Sequence, residues 1–213
     1  MKFQKLAVLF AIIAVSLSAQ ASQTEADLLA MIHSGDFSKM KKALHILPRS
    51  FPASTNAIAV IKEILHNNEA IAANEENIDN TTKPPTSRVR RVDSILIARA
   101  AARALGEYHA TASDADVEII FKQLISSHIT DTAMDGLKAL RGMKAPQAVP
   151  MLLPLLKDGN EHVLRDTIRT LAVLGDESTI PYIKPFLHNN RIRVVGDAQE
   201  AIEALKAKAK LKK

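Results

Sequence analysis

Cysteine and tryptophan are absent from the 213 residues, and aromatic side chains amount to only 4%. Without cysteine there is no disulfide, no thiolate metal site and no lipid-bearing N-terminal cysteine. Stability must therefore come from an apolar core. Two tyrosines and six phenylalanines offer little with which to line a small-molecule pocket. Past the N-terminus, no segment is apolar for the ~20 residues a membrane-spanning helix requires. Enzyme signatures are missing too. There is no Gly-x-Ser-x-Gly elbow, no Gly-rich phosphate loop and no His-Glu-x-x-His pattern. His33, His45, His66, His109, His128, His162 and His188 stand singly, with no i,i+3 or i,i+4 pair to share a metal. The expectation is a protein that is not an enzyme and that needs neither metal nor cofactor.

What the N-terminus does contain is a leader pattern. Lys2 and Lys5 precede an apolar run from Leu6 to Leu17, and Ala19-Gln20-Ala21 supplies the small-x-small order that signal peptidases cut. The run rises about 18 Å as a helix, short of the ~30 Å hydrocarbon layer. Residues 1–21 are expected to be a signal peptide, and 22–213 the exported domain, periplasmic or secreted, in a bacterial cell envelope. The net charge of +5 gives a pI near 9.4. However, Lys2 and Lys5 lie in the leader, and Lys206, Lys208, Lys210, Lys212 and Lys213 in the last eight residues. The body between them is slightly acidic. A nucleic-acid partner is not expected, and the Lys-rich tail 206–213 reads as a frayed, solubilising end.

The strongest positive signal is internal repetition. A shift of 31 residues carries Pro150 onto Pro181, Pro154 onto Pro185, Leu156 onto Leu187, Val163 onto Val194 and Asp166 onto Asp197. One further shift backwards brings Leu137, Leu140 and Met143 onto Ile168, Leu171 and Leu174. Each unit reads as two helices. Gln147 to Lys157 forms the first, with a kink expected at Pro154 and again at Pro185, where a backbone hydrogen bond is lost. Asp158-Gly159-Asn160 is a turn, with Gly159 free to take positive φ. Glu161 to Leu174 forms the second, apolar at Val163, Leu164, Ile168, Leu171 and Leu174 along one face. Gly175 then provides a stop. Five pairs are expected, at 24–50, 53–110, 113–144, 146–175 and 178–210. In the second, a flexible loop over about 67–92, polar and interrupted by Pro84-Pro85, separates helices Ser54–His66 and Asp93–Gly106.

Helix pairs of this length, with proline in the first helix and a Leu-Gly end to the second, resemble HEAT repeats. They are most similar to the short HEAT-like units of phycobilisome lyases. The resemblance implies an all-α, right-handed α-solenoid of stacked antiparallel helix pairs, with second helices lining the concave face. There is one departure. The family's units place Val-Arg at the start of the second helix, where this chain has Val163-Leu164 and Val194-Val195, so the Arg from which such units build an inter-repeat ladder is missing there. HEAT-like deoxyhypusine hydroxylases hold iron through His-Glu dipeptides, and none occurs here.

Two positional ladders remain. Asp135, Asp166 and Asp197 stand 31 apart, early in successive second helices. They read either as an acidic stripe that offers ligands or binds a basic partner or, more simply, as acids favoured by the helix N-terminus, with Asp135 paired to Lys138 and Asp166 to Arg169 at i,i+3. The second ladder is basic. Lys42, Arg103, Lys138 and Arg169 precede equivalent leucines by two residues, with Glu200 last, and Arg99 and Arg165 join one turn earlier. Arg99, Arg103, Lys138, Arg165 and Arg169 are the candidate partner-binding ridge, for another protein with an acidic surface. Two other uses are open: a small ligand held in the groove, and an anionic envelope polymer or lipid bound by the Lys tail.

Overall fold

The structure, a computed structural model, describes residues 23–76, 85–127 and 129–211, with side chains described outside 68–92. Every regular element among them is helical. Helices α1 (Glu25–His33) and α2 (Phe37–Ser50) form the first pair, α3 (Thr55–Glu76) and α4 (Pro85–Glu107) the second. The third joins α5 (Asp114–Ile120), continued by a π-helical turn over Phe121–Ile125, to α6 (Thr130–Gly142). In the last two pairs, α7 (Val149–Leu152) and α9 (Ile180–Ile183) are short, and α8 (Glu161–Leu174) and α10 (Ile192–Leu211) are long. The five pairs expected from the repeat are all present.

Local chemistry explains most boundaries. Thr24 and Ser113 close capping boxes with Asp27 and Asp116, starting α1 and α5. Asn160 caps α8 by accepting from the His162 and Val163 amides at 2.9 and 3.4 Å. The proline kinks appear as a change of helix type. After α7 the chain tightens into a 3-10 turn over Leu153–Lys157 that carries Pro154, and after α9 into one over Lys184–His188 that carries Pro185. Gly35 takes φ +69 in the turn after α1.

Three expectations need correction. The loop over 67–92 is replaced by helix as far as Glu76 and again from Pro85, confining the connection to 77–84, which lies outside the described residues. Pro85 starts a helix because the first residue's N–H has no intrahelical partner to lose, and Ala70 to Glu76 is rich in good helix formers. The Lys-rich tail is not frayed as far as Leu211, since α10 runs through it. Lys208 Nζ donates to the carbonyls of Ala172, Val173 and Gly175, closing the end of α8. Gly159 does not use positive φ, because the Asp158 carboxylate accepts from the Asn160 amide and makes the turn itself. Gly175 ends α8 as expected, with extended backbone, and a Cβ there would collide with Thr179 and the Leu171 carbonyl. The leader 1–21 and the side chains of Arg88, Arg90 and Arg91 lie outside the described residues.

The core runs the length of the stack, from Leu28 and Leu47 through Leu105, Leu140 and Ile168 to Leu205. Each second helix packs on the next, α2 on α4, α4 on α6, α6 on α8 and α8 on α10, and these contacts are more extensive than those between successive first helices. The second helices form the more extensively packed layer, the one that the HEAT-like resemblance expects to line the inner face. Helices α4 and α6 cross at close approach. A Cβ on Gly142 would lie 2.5–2.8 Å from the Gly106 backbone, and one on Gly106 3.1 Å from Ala139 Cα.

Candidate partner-binding face

The acidic ladder belongs to the interior of the stack. Asp135, Asp166 and Asp197 are 7%, 5% and 5% exposed. A buried carboxylate costs several kcal/mol unless paired, and the partners come from the preceding repeat. Arg99 on α4 reaches Asp135 on α6, with Nη2 at 2.7 Å and Nε at 2.8 Å. Arg165 on α8 reaches Asp197 on α10 at 2.5 Å, and Arg169 reaches the same carboxylate at 2.8 Å. Arg169 also stands 3.7 Å from Asp166. An inter-repeat ladder therefore exists without the Val-Arg of the family pattern. Its arginines sit one residue before the Asp position of their own repeat unit.

The middle rung is incomplete. Alignment of the second helices places Met134 where Arg99 and Arg165 stand, and Asp166 Oδ2 is buried with no hydrogen-bond partner. The first-helix layer has a clamp of its own. Asp116, 1% exposed on α5, accepts from Lys62 Nζ at 2.8 Å and lies 2.9 Å from His66 Nε2, both on α3. Burial pushes the Asp116 carboxyl up, but hydrogen bonds from Lys62, the Ser113 amide, His66 and the Ser113 hydroxyl outweigh it and hold it well below the usual carboxylate range. Burial also pushes the Tyr108 phenol up to about 12, with Glu25 adding to it.

These pairings sort the basic ridge. Arg99 and Arg165 are spent on the ladder, and Arg169 is held by two carboxylates. The expected i,i+3 pairing holds for Asp166 with Arg169 but not for Asp135, which takes Arg99 and leaves Lys138 alone. Arg103 and Lys138 are exposed and have no anionic partner among the described residues. They flank an open cavity of about 560 Å³ where α2, α4 and α6 meet, with Gly106 and Gly142 in its lining. Arg49 and Glu107 also line it, 3.5 Å apart, leaving three cations against one carboxylate. His109 completes the rim, its Nδ1 2.9 Å from the Gly142 carbonyl.

Residues 117–206 match the family described as HEAT repeats. No curated protein sequence matches the chain. Among solved structures, the complex of CpcE and CpcF of phycocyanin lyase from Nostoc sp. PCC7120 superposes with a TM-score of 0.57 at 22% identity, covering 85% of this chain and 65% of that one. This chain accordingly spans a little under two thirds of that relative's length. Two engineered proteins superpose more loosely at 19% identity, with TM-scores of 0.45 and 0.42, covering 86% and 84% of this chain and 96% and 57% of theirs. The buried Asp ladder and the stacked second helices are thus features of an α-solenoid of HEAT-like repeats, a fold this chain shares with the phycocyanin lyase structure.

Proposed function

We propose that this protein is a non-catalytic scaffold of the bacterial cell envelope which, after removal of residues 1–21, captures an acidic protein partner on the inner face of its solenoid. The observation that carries the reading is the contrast along the ridge. Arg99, Arg165 and Arg169 are neutralised by buried aspartates, whereas Arg103 and Lys138 on adjacent helices are exposed without a counter-charge. Like charges side by side repel, and an anionic surface relieves that repulsion. The phycocyanin lyase relative is itself a complex of two subunits, which supports protein binding as a use of the fold. No helix among the described residues is long and apolar enough to cross a membrane.

A second reading, a small anionic ligand held in the groove, is favoured by the cavity beside Arg103 and Lys138, whose volume suits a small molecule. Its lining carries Arg49, Arg103, Glu107 and Lys138 and contains no Phe, Tyr or Trp, which supports a protein carboxylate over a planar pigment-like group. The Lys tail supports a polymer-binding reading less, because Lys208 is engaged with the end of α8.

The test is crosslinking and pull-down from envelope fractions, comparing the wild type with the double variant Arg103→Glu, Lys138→Glu. Recovery of the partner should fall about tenfold with unchanged helicity, and by much less in Lys206→Glu, Lys210→Glu. Equal recovery from the wild type and the ridge variant would sink the assignment.

A further inference from the structure

We infer that the inner face reads an extended acidic segment of polyproline type, in which an acidic side chain recurs at every third residue. The inference rests on the protein-binding reading above and specifies the form of the partner. Lys42 on α2, Arg103 on α4 and Lys138 on α6 occupy equivalent positions of three successive second helices. All three are exposed, and none has an anionic partner among the described residues. The row then changes character, because Arg169 is neutralised by Asp166 and Asp197, and Glu200 follows at the equivalent place on α10. Three free cations in line, followed by neutral and then negative ground, define both the length and the direction of an anionic ligand.

Spacing decides its conformation. Packed helices stand about 8–10 Å apart, which sets the separation of successive cations. A polyproline helix has three residues per turn at about 3.1 Å each, so every third side chain returns to the same side after about 9 Å. A β-strand brings side chains back to one face after only about 6.7 Å and falls out of step by the second cation. An α-helix with acids seven residues apart would also match, at about 10.5 Å, but it needs a trough about 10–12 Å wide. A body that wide, centred on the cations, would also lie over Glu107, an exposed acid one turn from Arg103, whereas a chain one residue wide keeps to the cations. The cavity between Arg103 and Lys138, where Gly106 and Gly142 contribute no side chain, seats the carboxylate that lies between these two cations.

Fluorescence anisotropy with three labelled peptides tests the register on the purified protein. One repeats Glu-Pro-Pro, one has the same composition with its glutamates contiguous, and one is a helical peptide with glutamate every seventh residue. At about 0.15 M salt, the repeating peptide should bind about tenfold more tightly than the contiguous one. Arg103→Gln and Lys138→Gln should each weaken it about fivefold, whereas Lys157→Gln, an exposed lysine of the first-helix layer, should leave it unchanged. Equal affinity for the two proline peptides, tighter binding of the helical one, or no binding of any would overturn the inference. If pull-down still depends on Arg103 and Lys138 in that event, the scaffold reading stands and only the register is wrong.

Discussion

Single residues on the second helices do one of two jobs, and a neighbour 28 to 36 positions away decides which. Arg99 and Arg103 are one turn apart on the same helix. The first closes a rung on Asp135 and the second faces solvent. The incomplete rung allows this rule to be tested. Met134 holds the arginine position opposite Asp166, whose Oδ2 is buried and unpartnered. Met134→Arg should therefore stabilise the protein by about 1 kcal/mol, read as a higher urea midpoint with an unchanged slope. Met134→Leu, similar in volume and without a donor, should bring no gain. A destabilised arginine variant would mean that Asp166 is already satisfied or that the site cannot admit a guanidinium. The acidic ladder was legible in the sequence as a 31-residue recurrence, and so was the Asp166–Arg169 pair, but its cross-repeat partners were not. An i,i+3 neighbour on the same helix is visible in one dimension, whereas Arg165 meets Asp197 only once two helices are stacked.

Among the elements, the second helices were the most legible. Glu161–Leu174 is bounded by an Asn cap and a Leu-Gly end, and its apolar stripe of Val163, Leu164, Ile168, Leu171 and Leu174 is buried as the spacing predicts. First helices were legible in their breaks, since Pro154 and Pro185 impose the same switch to a 3-10 turn wherever they occur. The full length of helix α3 is not legible in the sequence, because polarity marks a loop and an exposed helix alike. Helix α3, buried at Ala57, Ile61 and Leu65, continues to Glu76 through a stretch of good helix formers. The link between α3 and α5 gives a pH prediction. The folded Asp116 carboxyl titrates well below its unfolded value of about 3.9, so its contribution is fully present above that pH and is lost as pH falls towards the depressed value. Wild type should exceed Asp116→Asn by about 1.5–3 kcal/mol near neutral pH. The gap should narrow in urea unfolding at about pH 3. A gap that does not change with pH would place the effect in packing or capping rather than in the Lys62–Asp116 ion pair.

For the whole molecule, stability spreads along a continuous core in which each repeat covers its neighbour, so no single pair is expected to fold alone. The proposed envelope role makes residues 1–21 a leader to be removed. Mass spectrometry of the protein recovered from its native envelope should find a mature chain beginning at Ser22, and a form still carrying Met1 or Lys2 would remove the envelope assignment. The sequence by itself determined the period, the number of helix pairs, the buried stripe and the proline breaks. Each of these follows from interactions within about one helical turn, or from the recurrence of one unit along the chain. Only the tertiary structure decided which of five ridge cations are available. Charge pairing acts at about 3 Å between side chains from different helices, and that distance is set by how helices cross. The crossing depends in turn on Gly106 and Gly142, whose backbones meet because neither carries a Cβ. Arg99 and Arg165 thereby became part of the frame, and Arg103 and Lys138 were left facing outward.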